Sequence, residues 1–295
     1  MTAVAEVRGF REVSSPSGGS LHVRDHPGDD VPMVVMHGFP DDLRIYDRLI
    51  PFLAPHRVIA FDWFGYGHSG RRGTQPFDRA DRQRDIAAVL DGLDLRRVIL
   101  VAHDASGPEA IEFASTHPER VERIVLLNTY YGRDDSLHVP EMIGLMADPE
   151  FRPLVDALMD DENQRLWLLL HTARRFGLDP GDTEGIGAVS VLPQFFGDAD
   201  HPDALAEIRA WIADLPRALD EQDGRIVAGR LSASEIPVSI IFGADDQFLN
   251  PDIARHLAGL FAHSDLHLVE SASHWPQWDQ PELVAKIMLE PPDSV

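Results

Sequence analysis

The chain has 295 residues, 44% of them hydrophobic and 25% charged, enough for one substantial core carrying an inserted segment. Its 49 acidic and 26 basic residues leave a net charge of −23, a surface that repels phosphate backbones and anionic lipid, so neither nucleic acid nor membrane is an expected partner. Cysteine is absent, which excludes disulfides, thiolate nucleophiles and cysteine-held metals; no histidine–carboxylate spacing reads as a ligand set, so no metal and no cofactor are expected.

The first residues, "MTAVAEVRGFREV", lack the apolar run of a signal peptide, and no apolar stretch of about 18 residues occurs, so a soluble cytoplasmic protein is the expectation. "GFREVSSPSGGSLHVRDH" predicts two strands around a Ser/Gly turn. "VPMVVMHGFP" follows as a buried strand, then "LRIYDRLIPFLA" with apolar residues at helical spacing. "HRVIAFDWFGYGHSG" is a strand running into a Gly-rich loop, and "RADRQRDIAAVLDGLDL" is a charged amphipathic helix. "VILVAHDASGPEAIEFA" climbs from a strand through a tight turn into a helix, and "VERIVLLNTY" is again a buried strand.

Between about Gly132 and Glu235 this rhythm stops. "VPEMIGLMADPEFRPLVDALM", "ENQRLWLLLHTARRF" and "HPDALAEIRAWIADL" are helical pieces punctuated by Pro, Asp and Gly. Strand–helix alternation resumes with "IPVSIIFGADD", "PDIARHLAGLF", "SDLHLVES" and "PELVAKIML". The chain therefore predicts an α/β architecture: a mostly parallel sheet covered on both faces (1–131 and 236–295), with a helical cap inserted over 132–235.

Three motifs converge on chemistry. At a strand–turn–helix, small residues two positions either side of a reactive side chain permit a strained backbone; Ala102 and Ser106 flank Asp104 in this way. Taking Ser106 as the reactive group puts Asp104 and Pro108 in the flanking positions, and neither is small. "HGFP" (His37–Pro40) follows a strand, where such a loop supplies one backbone N–H of an oxyanion hole while the residue after the nucleophile supplies the other; Phe39 and Ala105 are the matching donors. Finally, Asp245 and Asp246 end one strand and His274 follows the last, giving the order nucleophile, acid, histidine.

With "HGFP", "DWFGYGHSG", "AHDASG", "FGADD" and "SHWPQWDQPE", the sequence resembles the α/β-hydrolase superfamily over nearly all its length outside the cap. An aspartate at the turn resembles the haloalkane dehalogenase and epoxide hydrolase branch. The resemblance implies Asp104 as nucleophile, His274 as base and Asp246, three residues beyond Gly243, as its acid, with Asp245 the rival for that role.

The choice of aspartate has a chemical reading. A carboxylate, with an ordinary pKa of about 3.9, is ionised near neutrality and displaces a leaving group at saturated carbon without first losing a proton. His274 then activates water against the resulting ester, whose oxyanion forms on the aspartate's own oxygen. Attack on an ordinary ester would instead give a mixed anhydride, so carbon–halogen or epoxide cleavage is favoured over esterase chemistry.

The sequence departs from both family patterns. Ala105 stands where dehalogenases usually carry a halide-binding tryptophan, and no tyrosine lies inside the cap proper, where epoxide hydrolases usually carry a pair. Arginines found after the nucleophile in fluoroacetate dehalogenases are missing too. Halide leaves unprotonated whereas an alkoxide needs an acid, which places dehalogenation of a small apolar haloalkane first and epoxide hydrolysis second. The substrate and leaving-group candidates are His37, Trp63, Tyr130, Trp167 and His171, with Trp211 a further cap donor, Tyr131 a second hinge acid, and Phe39, Trp63, Phe195 and Phe196 as walls. An esterase or lactonase acting through Ser106, and a non-catalytic ligand-binding member of the fold, are the remaining alternatives.

Overall fold

A computed structural model describes residues 9–72, 78–198 and 202–290. Most of the N-terminal stretch and His201 of the third cap piece lie outside the described residues. Eight strands form one sheet: β1 (Phe10–Ser15), β2 (Gly19–His26), β3 (Asp30–Met36), β4 (His56–Phe61), β5 (Val98–Asp104), β6 (Val121–Thr129), β7 (Val238–Gly243) and β8 (Ser264–Val269). Their order is β1-β2-β4-β3-β5-β6-β7-β8, antiparallel at β1–β2 and β2–β4 and parallel from there on.

The central strands read as unbroken apolar runs because both faces are covered. Val34 and Met36 of β3, Leu100 and Ala102 of β5 and Leu126 of β6 enter one core, with Ile86 and Val89 of helix α1 (Ala80–Gly92) and Ala110 and Phe113 of α2 (Ser106–Thr116). The alternate residues Met33, Val35, Ile99, Val101 and Val125 face the other core, with Tyr46, Leu49 and Met288. Burying a Leu, Val, Ile or Met side chain contributes about 1.5–3 kcal/mol, so the sheet is stabilised from both sides.

The segment expected to be helical after β3 is different. It forms two short 3₁₀ turns, Leu43–Tyr46 and Ile50–Phe52, because Pro51 lacks the N–H that a continuing helix needs. Between β6 and β7 the described residues contain helices and no strand: α3 (Glu141–Ala147), α4 (Arg152–Asp160), α5 (Glu162–Arg175), a π-helical turn at Gly187–Val191, α6 (Leu192–Phe196) and α7 (Leu205–Val227). Helix α7 runs through Pro216, well beyond the Leu215 at which its sequence pattern ends. The last three helices are α8 (Pro251–Gly259), α9 (Pro276–Asp279) and α10 (Pro281–Leu289). No described helix is long and apolar enough to cross a membrane.

The chain passes from β3 outward to β4 and returns on the other side as β5. At such a reversal the two adjacent strand ends leave a crevice. Met36 and Ala102 are register partners there, so the loop after β3 and the turn after β5 face each other.

Candidate active site

Asp104 ends β5 with φ +49°, in the left-handed region that non-glycine residues rarely adopt. Two contacts hold this turn. Thr129 Oγ1 donates to the Asp104 carbonyl at 2.5 Å, and Gly107 lets α2 pack down on β6, where an added Cβ would lie 2.0 Å from Thr129 Oγ1. A second close approach needs Gly38, whose added Cβ would lie 2.6 Å from Asp104 Cβ. The payoff of that approach is direct: the Phe39 N–H donates to Asp104 Oδ2 at 2.9 Å, and the Ala105 N–H also bonds the carboxylate. Burial raises the Asp104 pKa, while His274 and these two N–H groups pull against it without reversing the shift.

His274 and Asp246 come from the loops after β8 and β7. His274 Nδ1–H donates to Asp246 Oδ2 at 2.7 Å, and both side chains are buried. Burial pushes the imidazole down, but the Asp246 charge and hydrogen bond, then Asp104 and Asp41, outweigh it and lift the pKa to about 9. Asp246 also accepts the Phe248 and Leu249 N–H groups at 2.9 and 3.2 Å, and Asn128 Nδ2–H at 2.9 Å. Asp245 is exposed and makes no such contact among the described residues. Of the two aspartates, Asp246 is the one paired with His274.

Sequence reasoning missed two residues here. Asn128, buried with φ +27°, spans the gap between strands by donating to Asp246 and accepting the Gly243 N–H at 2.8 Å. A lone amide in the apolar run "VLLNTY" was its signal. Asp41, fully buried after "HGFP", accepts Trp275 Nε1–H at 3.2 Å; burial is the main cause lifting its pKa to about 7. It faces His103, which is neutral through burial and whose Nε2–H donates to the His274 carbonyl at 2.8 Å.

Asp104 and His274 line one cavity of about 530 Å³, walled mainly by Phe39, Ile143, Phe176, Trp211, Leu215 and Phe248. An adjoining apolar cavity of about 790 Å³ shares Phe39, Ile143, Phe176 and His274 but lacks Asp104, so of these two it is the smaller that brings Asp104 and His274 together. Phe195 lines the larger space, while Phe196 lies outside both, under the Arg165 guanidinium. Helices α3, α5 and α7 supply walls to these cavities.

The leaving-group candidates separate. Trp167 is 62% exposed and His171 is exposed; four residues apart, they share the outer face of α5, while Leu168, Leu169 and Thr172 turn inward. Neither reaches Asp104. Trp63 is also unavailable, because its indole N–H donates to the His37 carbonyl at 2.9 Å. His37 accepts the Trp63 N–H through Nε2 at 3.1 Å and donates from Nδ1 to the Gly38 carbonyl at 2.9 Å. Burial pushes its pKa down to about 4, so it is a neutral brace of the loop. Tyr131 donates to Glu112, and Tyr46 to the Met36 carbonyl at 2.8 Å.

Two of the candidate donors do line the Asp104 cavity. Tyr130 has a buried hydroxyl with no partner, its acidity lowered chiefly by burial. Trp211 stacks on Phe39 with ring centroids 4.2 Å apart, and no described residue accepts its indole N–H. The Ser106 hydroxyl is committed elsewhere: it accepts the His103 N–H at 2.8 Å and lies 2.9 Å from the Met36 carbonyl. As for a metal, His22, Asp62 and His68 bring ligand atoms within 4.8 Å of one another on the β2–β4 side, and none of them lines the Asp104 cavity.

A family model described as the alpha/beta hydrolase fold matches residues 31–169. A 2-hydroxy-6-oxononadienedioate/2-hydroxy-6-oxononatrienedioate hydrolase of Burkholderia vietnamiensis is 28% identical, over 80% of this chain and 76% of its own. Haloalkane dehalogenase 2 of Mycobacterium bovis is 26% identical over 93% and 92%. Among solved structures, a thermophilic esterase from Thermogutta terrifontis superposes with a TM-score of 0.73 at 20% identity, covering 95% of this chain and 96% of its own. Three different activities stand among these names, on one architecture.

Proposed function

We propose that this α/β-hydrolase, an enzyme by its fold and relatives, cleaves a bond at saturated carbon through an ester on Asp104, and that its substrate is a small apolar haloalkane. The observation that carries the reading is a carboxylate at the turn, held by the Phe39 N–H at 2.9 Å and sharing an apolar cavity with the His274–Asp246 pair. Asp104 attacks carbon, the halide leaves with the bonding pair, and an alkyl ester remains. His274 takes a proton from water, whose oxygen adds to the ester carbonyl. The oxyanion develops on Asp104 Oδ2 against the N–H groups of Phe39 and Ala105. Collapse releases the alcohol and restores the carboxylate, with one proton going to solvent for each halide released.

The electrostatics support this order of events. In the resting protein Asp246, Asp104 and Asp41 together hold the proton on His274. Esterification neutralises Asp104, removes one of these charges and lowers the His274 pKa at the step where a base is needed. In this reading residues 132–235 act as a cap whose apolar inner faces exclude bulk water. Dehalogenation is supported by a leaving group that needs no proton and by dehalogenases among the relatives.

The test is a trapped intermediate. His274→Gln incubated with a 1-bromoalkane gains the alkyl mass on the peptide containing Asp104. Absence of that adduct, while the parent enzyme consumes the same substrate, rejects the ester. One observation favours a second reading: the unpartnered Tyr130 hydroxyl on the Asp104 cavity suits protonation of an epoxide oxygen. Tyr130→Phe and Trp211→Phe, each assayed on a bromoalkane and a terminal epoxide, separate the two. The residue serving the leaving group loses about 1.5–3 kcal/mol in kcat/KM on its own substrate.

A further inference from the structure

Behind the Phe39–Trp211 stack lies a separate small chamber, lined also by His37, Trp63, Tyr66, Arg82, Ala105 and Glu109. Its lining is polar where the Asp104 cavity is apolar. Arg82 is only 4% exposed, yet among the described residues its guanidinium makes no ion pair and a single hydrogen bond, to the Phe64 carbonyl at 3.4 Å. It lies over the rings of Trp63 and Tyr66, 5.1 and 5.2 Å from their centroids. Tyr66 is 2% exposed and its hydroxyl has no partner.

Buried cations and hydroxyls are ordinarily satisfied, and leaving them unpaired is costly. Asp85 and Glu109 feel the Arg82 charge, but among the described residues neither makes a hydrogen bond or ion-pair contact with it. Glu109 is held by Arg79 at 2.8 Å and Gln83 at 2.7 Å, and Asp85 by the Ser15 hydroxyl at 2.8 Å and the Phe64 N–H at 3.4 Å. Neutral His37 uses both ring nitrogens on the backbone.

We propose that this chamber binds a small monoanion between the Arg82 guanidinium and the Tyr66 hydroxyl. Two sources fit that chemistry, the halide released at Asp104 or the carboxylate end of a substrate, and the chamber abuts the reaction point through Phe39, Ala105 and Trp211. Binding itself is independent of the aspartyl-ester reading; only the assignment to released halide rests on it.

Isothermal titration of the full-length protein at constant ionic strength, with sodium bromide and separately with sodium acetate, tests the proposal. Saturable binding is expected, weakened about tenfold, roughly 1.4 kcal/mol, by Tyr66→Phe, which removes one hydrogen bond to the anion, and lost in Arg82→Gln. If Arg82→Gln fails to fold, the Tyr66→Phe shift and the bromide anomalous peak in soaked crystals of the parent carry the test. Bromide alone identifies the leaving group, acetate alone a substrate carboxylate, and both a general monoanion site. Three results overturn it: no saturable binding of either anion, affinities unchanged in Tyr66→Phe, or a bromide peak away from Arg82 with only water in the chamber. Anion binding without an alkyl adduct on Asp104 would leave the chamber and reject the ester; the reverse would do the opposite.

Discussion

Replacing Asn128 by alanine tests whether one amide holds the acid in place. The substitution deletes the 2.9 Å donation to Asp246 Oδ2, a bond to a charged acceptor worth about 1.5–3 kcal/mol. It also orphans the Gly243 N–H, now 2.8 Å from Asn128 Oδ1, and a buried unpaired donor costs about 1–3 kcal/mol. Urea unfolding should therefore show a loss of about 2.5–6 kcal/mol, with the slope unchanged. A kinetic signature accompanies it. With one donor fewer, more of the Asp246 charge is left to hold the proton on His274, so in the proposed mechanism ester hydrolysis slows relative to ester formation. Rapid-quench assay on a bromoalkane should show a larger burst of bromide and a lower steady rate. A stability loss below about 1 kcal/mol with unaltered steady turnover would refute the reasoning, because a buried two-sided hydrogen bond cannot be that cheap to remove.

The His274 pKa is raised from 6.5 to about 9, so its pairing stabilises the fold fully below about pH 6.5 and loses that effect as pH rises through about 9. The Tm gap between the parent and Asp246→Asn should narrow across that window; a gap that widens contradicts the linkage. Gly38→Ala must push Asp104 aside, given the 2.6 Å approach, and should cost at least a hundredfold in kcat/KM, roughly 2.7 kcal/mol, while circular dichroism reports an intact sheet. Trp167→Ala and His171→Ala remove side chains from the outer face of α5, so both should leave halide release unchanged and stability within about 0.5 kcal/mol; a strong loss of activity would mean that α5 rotates in the working enzyme.

What the sequence made legible follows from how each feature is encoded. The parallel strands announce themselves because burial on both faces makes every position apolar, as in Val98–Ala102. The chain order of Asp104, Asp246 and His274 survives in one dimension because each ends a strand or follows one, and the strand ends line one edge of the sheet. Features that depend on helical phase or on one residue's partner were harder to read. Trp167 and His171 look like cap donors until the inward face of α5 is fixed by Leu168, Leu169 and Thr172. Pro51 divides a segment whose apolar spacing suits a helix, whereas Pro216 is absorbed within one. The free hydroxyls of Tyr66 and Tyr130 and the engaged ones of Tyr46 and Tyr131 are indistinguishable in composition; only neighbours separate them.

Phe39 belongs to two parts of the molecule at once. Its amide touches the Asp104 carboxylate, and its ring lies flat against Trp211 on α7. A peptide plane and the side chain on the same Cα cannot be repositioned independently, so a tilt of α7 is transmitted to the amide through a single residue. Selection for a roomier or tighter pocket would therefore be constrained at this point. Changes elsewhere in the insertion can alter which molecules are admitted, but one that displaces Trp211 also alters the rate of the reaction they undergo. Laboratory evolution of this protein should accordingly find its freely variable positions on α3 and α5, and its epistatic ones around the Phe39–Trp211 contact.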